Sequence, residues 1–119
     1  MQITTAALIV NPCDDEYDNM ALLCCHDEHG SLFSLTRFPD ENEVEITVRD
    51  DQVLAVSTLK VTLEPGRLLV ELDPADGKRL DGHGHYEILH DTFADELPEV
   101  DETLRIILKD VGTYSSLLG

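Results

Sequence analysis

The chain has 119 residues, and its 25 Asp and Glu against eight Lys and Arg give a formal net charge of -17 at pH 7. This length suits one domain with a single core, so we expect residues 1–119 to form one domain. The charge argues against nucleic-acid binding, which depends on basic side chains at the phosphates, and against docking on anionic membranes. It permits high solubility or a basic partner.

Three strands are predicted in the first third of the chain. The first covers residues 3–10 and ends at Asn11-Pro12. Residues 20–26 are apolar at both odd and even positions, which indicates a strand covered on both sides. A turn at residues 27–30 then returns the chain as the hairpin partner 32–38.

The middle of the chain predicts three further strands. Residues 44–49 alternate between apolar and polar side chains, as in a strand with one buried face. Residues 52–64 form a long extended run whose even positions change from apolar to polar near Ser57-Thr58, which predicts a bend or bulge there. Residues 67–72 pair back after a Pro-Gly turn.

Two helices and one more strand are predicted in the last third. Asp73-Pro74 is a helix start signal for a short helix, and residues 85–90 form a strand. Residues 97–111 show helical spacing of apolar side chains, with Asp101 and Arg105 as an ion pair on the exposed face. The predicted fold is α+β: a mostly antiparallel sheet of about seven strands with the C-terminal helix packed on one face.

The histidines raise the question of a metal site. His83, His85 and Glu87 would share one strand face, and four nearby side chains could add ligands: Cys24, Cys25, His26 and His29. Their spacing matches no closed zinc pattern. The acidic residues 14–18 also lack the glycine and the final Glu of a calcium-binding loop. We therefore predict no metal and no cofactor.

No catalytic constellation is recognisable. The chain contains neither a nucleophile elbow nor a phosphate-binding loop. Cys25 and His26 are neighbours on a strand, so their side chains point to opposite faces. We predict a non-enzymatic protein with no catalytic residues.

The cysteines and the N-terminus bear on the compartment. Cys13, Cys24 and Cys25 are an odd set with no disulfide framework, as is common for reduced cytosolic thiols. The N-terminus lacks the positively charged region of a secretory signal. No apolar run approaches the roughly 18 residues of a membrane span. These features predict a cytoplasmic protein.

Acidic residues cluster in three places, and a shorter pair adds a fourth. The clusters are residues 14–18, 40–45 and 95–102, with the pair at 50–51. One interpretation is a solvated surface, which includes salt adaptation of the host. The other is a complementary patch that steers a basic partner and disfavours wrong ones.

From residue 43 onward, the order of features resembles the immunity protein 10 family of bacterial polymorphic toxin systems. The resemblance covers about two-thirds of the chain and consists of an alternating strand, a hairpin, a short segment, a strand and a helix. These segments are 44–52 (VEITVRDDQ), 59–63 (LKVTL), 67–73 (RLLVELD), 74–80, 87–89 and 100–108.

The resemblance implies a small cytosolic protein that binds and neutralises a cognate toxin. Together with the charge, it predicts an acidic surface that covers the basic surface of the toxin and blocks access to it. The partner-binding residues predicted as a group are Asp40, Glu41, Glu43, Asp50, Asp51, Glu99, Asp101 and Glu102.

Two other functions remain open from the sequence. One is an acidic chaperone or adaptor that holds a basic client protein. The other is a small metal-binding enzyme built on His83, His85 and Glu87. The sequence selects no oligomeric state.

Overall fold

The computed structural model describes residues 1–14, 19–49, 52–80 and 82–117, with the backbone alone at residue 14. Within these ranges the chain forms ten strands and two helices. They are β1 (Gln2–Thr5), β2 (Ile9–Asp14), β3 (Met20–His26), β4 (Leu32–Arg37), β5 (Val44–Val48), β6 (Gln52–Val56), β7 (Lys60–Glu64), β8 (Arg67–Glu71), α1 (Pro74–Leu80), β9 (His85–His90), α2 (Leu97–Ile107) and β10 (Thr113–Ser116).

The strands form two five-stranded sheets. The first, which we call the meander sheet, has the order β2-β3-β4-β5-β6 and is antiparallel throughout. The second, the mixed sheet, has the order β1-β9-β8-β7-β10. Its three central strands are antiparallel, whereas β1 runs parallel to β9 and β10 runs parallel to β7. The fold is therefore α+β, as predicted.

The core lies between the inner faces of the two sheets. Phe33 on β4 meets Tyr86 on β9 with 5.5 Å between the ring centroids. On β3, β5, β7 and β8 the inward positions are apolar and buried, as in Val44, Ile46 and Val48 of β5. Helix α2 packs on the same side of the meander sheet, against β2, β3 and β4. The short helix α1 packs beside β6.

The outer faces of the two sheets differ in character. The mixed sheet carries an ionic row in which Arg67 bonds Glu64 at 2.7 Å and Glu87 at 3.0 Å. A row across the outside of the meander sheet is uncharged: Ile9, Cys24, Ser34, Thr47 and Val53. The prediction that residues 20–26 are covered on both sides is wrong, since Met20, Leu22 and Cys24 are only half-buried on this outer face.

The prediction of a single sheet of about seven strands is also wrong. The predicted strand 3–10 breaks after Thr5, so that β1 joins the mixed sheet and β2 joins the meander sheet. The run 52–64 divides in the same way around Ser57-Thr58, where a bend was predicted. Each break carries the chain from one sheet to the other, which lets both halves bury their apolar positions against the same core.

The helices follow the sequence signals more closely. The Asp73 carboxylate accepts a hydrogen bond from the Ala75 N–H at 3.1 Å, as expected for a residue that caps α1. Helix α2 ends at Ile107 rather than at 111. The backbone turns through positive φ at Asp110 and Gly112 and enters β10, a strand that was not predicted. No helix among the described residues is long and apolar enough to cross a membrane.

Candidate functional site

The predicted acidic residues of the β4–β5 connection lie at the C-terminal end of α2. Asp40, Glu41 and Glu43 are exposed. The Arg37 guanidinium donates to the Glu41 carbonyl at 2.7 Å and to the Ile107 carbonyl at 3.1 Å. This arginine therefore ties the acidic connection to the last turn of the helix.

The predicted acidic residues on α2 divide into two kinds. Glu99 and Glu102 are exposed. Asp101 instead accepts a hydrogen bond from the Tyr114 hydroxyl at 2.7 Å and pairs with Arg105 at 3.0 Å. Partial burial would raise the pKa of Asp101, but the hydrogen bonds from Tyr114 and Arg105 outweigh it and lower that pKa. Asp101 thus joins α2 to β10.

The predicted partner-binding residues that the structure describes therefore do not form one patch. The acids of the β4–β5 connection lie at one end of α2, and Glu99 lies near its other end. Asp50 and Asp51 lie outside the described residues, as does most of the cluster at 14–18.

A different surface combines acidic side chains with exposed apolar ones. It begins with the β2–α2 groove, a cavity of about 410 Å³ between the start of β2 and the start of α2. Phe93 is 72% exposed and Ile9 is 55% exposed, the former being the most exposed large apolar side chain described. The groove is lined by Ala7, Leu8, Ile9, Val10, Phe93, Glu96, Glu99 and Val100.

A second cavity adjoins the groove and shares Ala7 and Ile9 with it. We call it the turn cavity, because the β3–β4 turn forms one wall. Its volume is about 570 Å³. The turn cavity is lined by Thr4, Thr5, Ala6, Ala7, Ile9, His26, Asp27, Glu28 and Asp91.

The β2–α2 groove and the turn cavity together form what we call the combined surface, and its charge is negative. Five acids line the two cavities (Asp27, Glu28, Asp91, Glu96 and Glu99), and none of their described lining residues is Lys or Arg. None of the five forms an ion pair within the described ranges. Asp27 accepts backbone N–H groups of its own turn, that of Ser31 foremost, and these hydrogen bonds lower its pKa. The surface is thus strongly anionic at neutral pH.

Backbone contacts fix the position of Phe93. The Asp91 N–H donates to the Ala6 carbonyl at 3.0 Å, and the Leu8 N–H donates to the Thr92 hydroxyl at 2.9 Å. The segment before Phe93 is therefore held against the β1–β2 connection. The Glu96 N–H closes a turn on the Phe93 carbonyl at 2.9 Å. An apolar side chain on a fixed backbone meets a partner at little entropic cost.

Phe93 and Ile9 were not predicted to be surface residues. Phe93 stands alone in a polar segment outside any apolar periodicity, and this isolation was the signal available. Ile9 lies in an apolar run, and this pattern predicts a buried strand. Its exposure follows from the break between β1 and β2, which turns it to the outer face.

The residues considered for a metal site are not brought together. Glu87 uses one carboxylate oxygen for Gln2 and the other for Arg67, both at 3.0 Å. His83 packs edge-on to the Tyr86 ring at 6.3 Å between centroids. Across the described part of the chain, no group of three His, Cys, Asp or Glu side chains is placed to hold a metal ion.

The adjacent cysteines occupy opposite faces of β3, as strand alternation predicts. Cys24 is half-buried on the outer face, and Cys25 lies in the core. Burial raises the pKa of the Cys25 thiol to about 12, with smaller contributions from Cys24 and Asp27. A thiol this hard to ionise is a packing residue rather than a nucleophile.

The chain matches no protein-family model, and no curated protein sequence and no solved structure is significantly similar to it.

Proposed function

We propose that this protein binds a basic partner protein, and that the partner is a cognate bacterial toxin which it neutralises in the cytoplasm by covering its basic surface. The observation that carries the proposal is the combined surface of the β2–α2 groove and the turn cavity. There, five acids and no described Lys or Arg surround the exposed side chains of Phe93 and Ile9.

The charge and the apolar side chains have separate roles in this proposal. A net charge of -17 attracts a basic protein over a distance of about a Debye length, which raises the association rate. Retention of the bound partner depends on a few desolvated apolar contacts, and aromatic side chains contribute most often. Phe93 supplies such a contact beside Glu96 and Glu99.

The other acidic side chains of the predicted set act at the periphery. Asp40, Glu41, Glu43 and Glu102 are exposed and add to the long-range attraction, as Asp50 and Asp51 do in our proposal. Individual rim charges contribute little to affinity. Asp101 is occupied by Tyr114 and Arg105, so we assign it a structural role beside its share of the charge.

The first experiment asks whether a toxin exists. The open reading frame beside this gene is expressed alone and together with this protein, and growth and co-purification are measured. We expect toxicity that this protein relieves, and a complex that co-purifies. A harmless neighbour that never co-purifies would refute the toxin assignment, whereas a harmless basic neighbour that does co-purify would support an adaptor or chaperone.

Two variants with the same loss of charge then locate the surface. One combines Asp91→Asn, Glu96→Gln and Glu99→Gln, and the matched control combines Asp40→Asn, Glu41→Gln and Glu43→Gln. Each variant loses three negative charges, so both should slow association by weakening the long-range attraction. Only the first should also speed dissociation, as measured by surface plasmon resonance. Equal dissociation rates in the two variants would remove the combined surface from the proposal.

A further inference from the structure

The β2–α2 groove has the layout of a site for one large apolar side chain. Leu8 and Val100 are buried at 5% and 1% exposure, so their side chains form an apolar floor. Phe93 and Ile9 stand beside it with most of their surface exposed. Its volume of about 410 Å³ lies within the roughly 300–1,000 Å³ of ligand pockets.

Acidic side chains border this floor on two sides. Glu96 and Glu99 line the groove at the start of α2. Beyond Ala7 and Ile9, the turn cavity adds three more acids: Asp27, Glu28 and Asp91. A ligand that fills the groove therefore meets negative charge on either side of its apolar side chain.

We infer that the groove binds a linear segment of the partner in which a large apolar side chain lies between Lys or Arg residues. The apolar side chain packs on the floor against Phe93 and Ile9. The basic residue on one side faces Glu96 and Glu99, and the one on the other side faces the acids of the turn cavity. This inference rests on the proposed function and names the element that the partner supplies.

Charge selects this occupant over others of similar shape. A second copy of this chain would bring another -17 charges to an anionic surface. An anionic ligand is disfavoured too, because Glu96 and Glu99 already occupy the positive end of the α2 dipole. An apolar segment without cations would leave the five acids without compensation.

The test uses three short synthetic peptides labelled with a fluorophore. The first has a central Phe between lysine pairs, the second has Ser at the centre, and the third keeps Phe but has Glu in place of Lys. Binding is measured by fluorescence anisotropy. We expect the Phe–Lys peptide to bind about tenfold or more tightly than the Ser–Lys peptide, because only the former buries an aromatic side chain. The Phe–Glu peptide should not bind.

Variants and a positional readout complete the test. Phe93→Ser should remove the advantage of the Phe–Lys peptide, whereas Leu117→Ser, at a side chain 58% exposed elsewhere, should preserve it. In ¹H–¹⁵N spectra the peptide should shift amides of residues 7–10 and 93–100. Equal binding of the Phe–Lys and Ser–Lys peptides, no binding of either, or shifts confined to other residues would overturn the inference. None of these results bears on whether the toxin co-purifies, so the proposed function is judged separately.

Discussion

Among the described glycines, Gly112 leaves the least room for a side chain. Its φ is +66°, and a Cβ at this position would overlap the Leu59 carbonyl oxygen. That same carbonyl accepts the Thr113 N–H at 2.9 Å, where β10 begins. Alanine here must both adopt the left-handed conformation and displace the start of β10.

We expect Gly112→Ala to lower the free energy of unfolding by about 2–5 kcal/mol, the sum of conformational strain and overpacking. Gly30→Ala is the matched control, because Gly30 has φ +81° but open space around its Cβ position. It should cost only the conformational part, about 1–2 kcal/mol. Urea denaturation of both variants measures the difference. Equal losses would mean that the close approach to Leu59 contributes nothing.

For single residues, the sequence predicts a local role such as helix capping more readily than it predicts whether a side chain is exposed. The capping role of Asp73 follows from its place before Pro74. The exposure of Phe93 does not, because it depends on hydrogen bonds to Ala6 and Leu8, more than 80 positions away in the chain.

At the scale of elements, Asp101 joins α2 to β10. Its carboxylate receives the Tyr114 hydroxyl at 2.7 Å and the Arg105 guanidinium at 3.0 Å, and the guanidinium lies 5.7 Å from the centre of the Tyr114 ring. The neighbouring Glu102 is exposed and forms no ion pair within the described ranges. Of these two adjacent acids on α2, Asp101 therefore contributes to the packing of the helix on β10, whereas Glu102 only adds charge to the surface.

Substituting each acid by its amide separates the two roles. We expect Asp101→Asn to reduce the free energy of unfolding by about 1–2 kcal/mol, because the amide carries no charge and offers one acceptor oxygen to the two donors, Tyr114 and Arg105. Glu102→Gln should change it by less than about 0.5 kcal/mol. Chemical denaturation of the two variants and of Tyr114→Phe provides the measurement. A loss for Glu102→Gln as large as that for Asp101→Asn would contradict the assignment.

Elements whose partners are adjacent in sequence were predictable, and the others were not. The hairpins β3–β4 and β7–β8 follow from alternation and a turn, since each partner strand comes next in the chain. The pairing of Ile3 with Ile88 joins strands 85 positions apart in the chain, and nothing local in either segment indicates it. For the same reason, of the five acids around the two cavities only Glu96 and Glu99 belong to a cluster visible in the sequence. Asp27, Glu28 and Asp91 join them only in the fold.

At the scale of the whole molecule, a histidine buried between the two sheets predicts a loss of stability in acid. His90 is 4% exposed, and its Nδ1 lies 2.9 Å from the Thr92 hydroxyl that accepts the Leu8 N–H. Its Nε2 is buried without a hydrogen bond of good geometry among the described residues. Burial lowers the pKa of His90, and the Glu64 carbonyl and the Asp91 charge offset this only in part.

The sign of the pH dependence follows from this lowered pKa. In the unfolded chain a histidine titrates near 6.5, above its value in the fold. Between these two pKa values the unfolded chain binds more protons at this residue, so the contribution of His90 to the free energy of unfolding is greatest above about pH 6.5 and falls as the pH decreases below it. Comparison with a variant that lacks the His90 imidazole therefore separates its contribution from that of the other histidines and of the 25 acids.

We expect His90→Gln to weaken this dependence on pH, although the variant is less stable overall because it loses part of the core packing. The quantity to compare is the difference in the free energy of unfolding between about pH 7.5 and about pH 5.5, since unfolded histidine titrates within that interval. It is obtained from urea denaturation of each protein. His29→Asn, at an exposed histidine, should keep the dependence of the parent chain. If the parent and His90→Gln lose stability in parallel on acidification, the buried imidazole is not the group responsible.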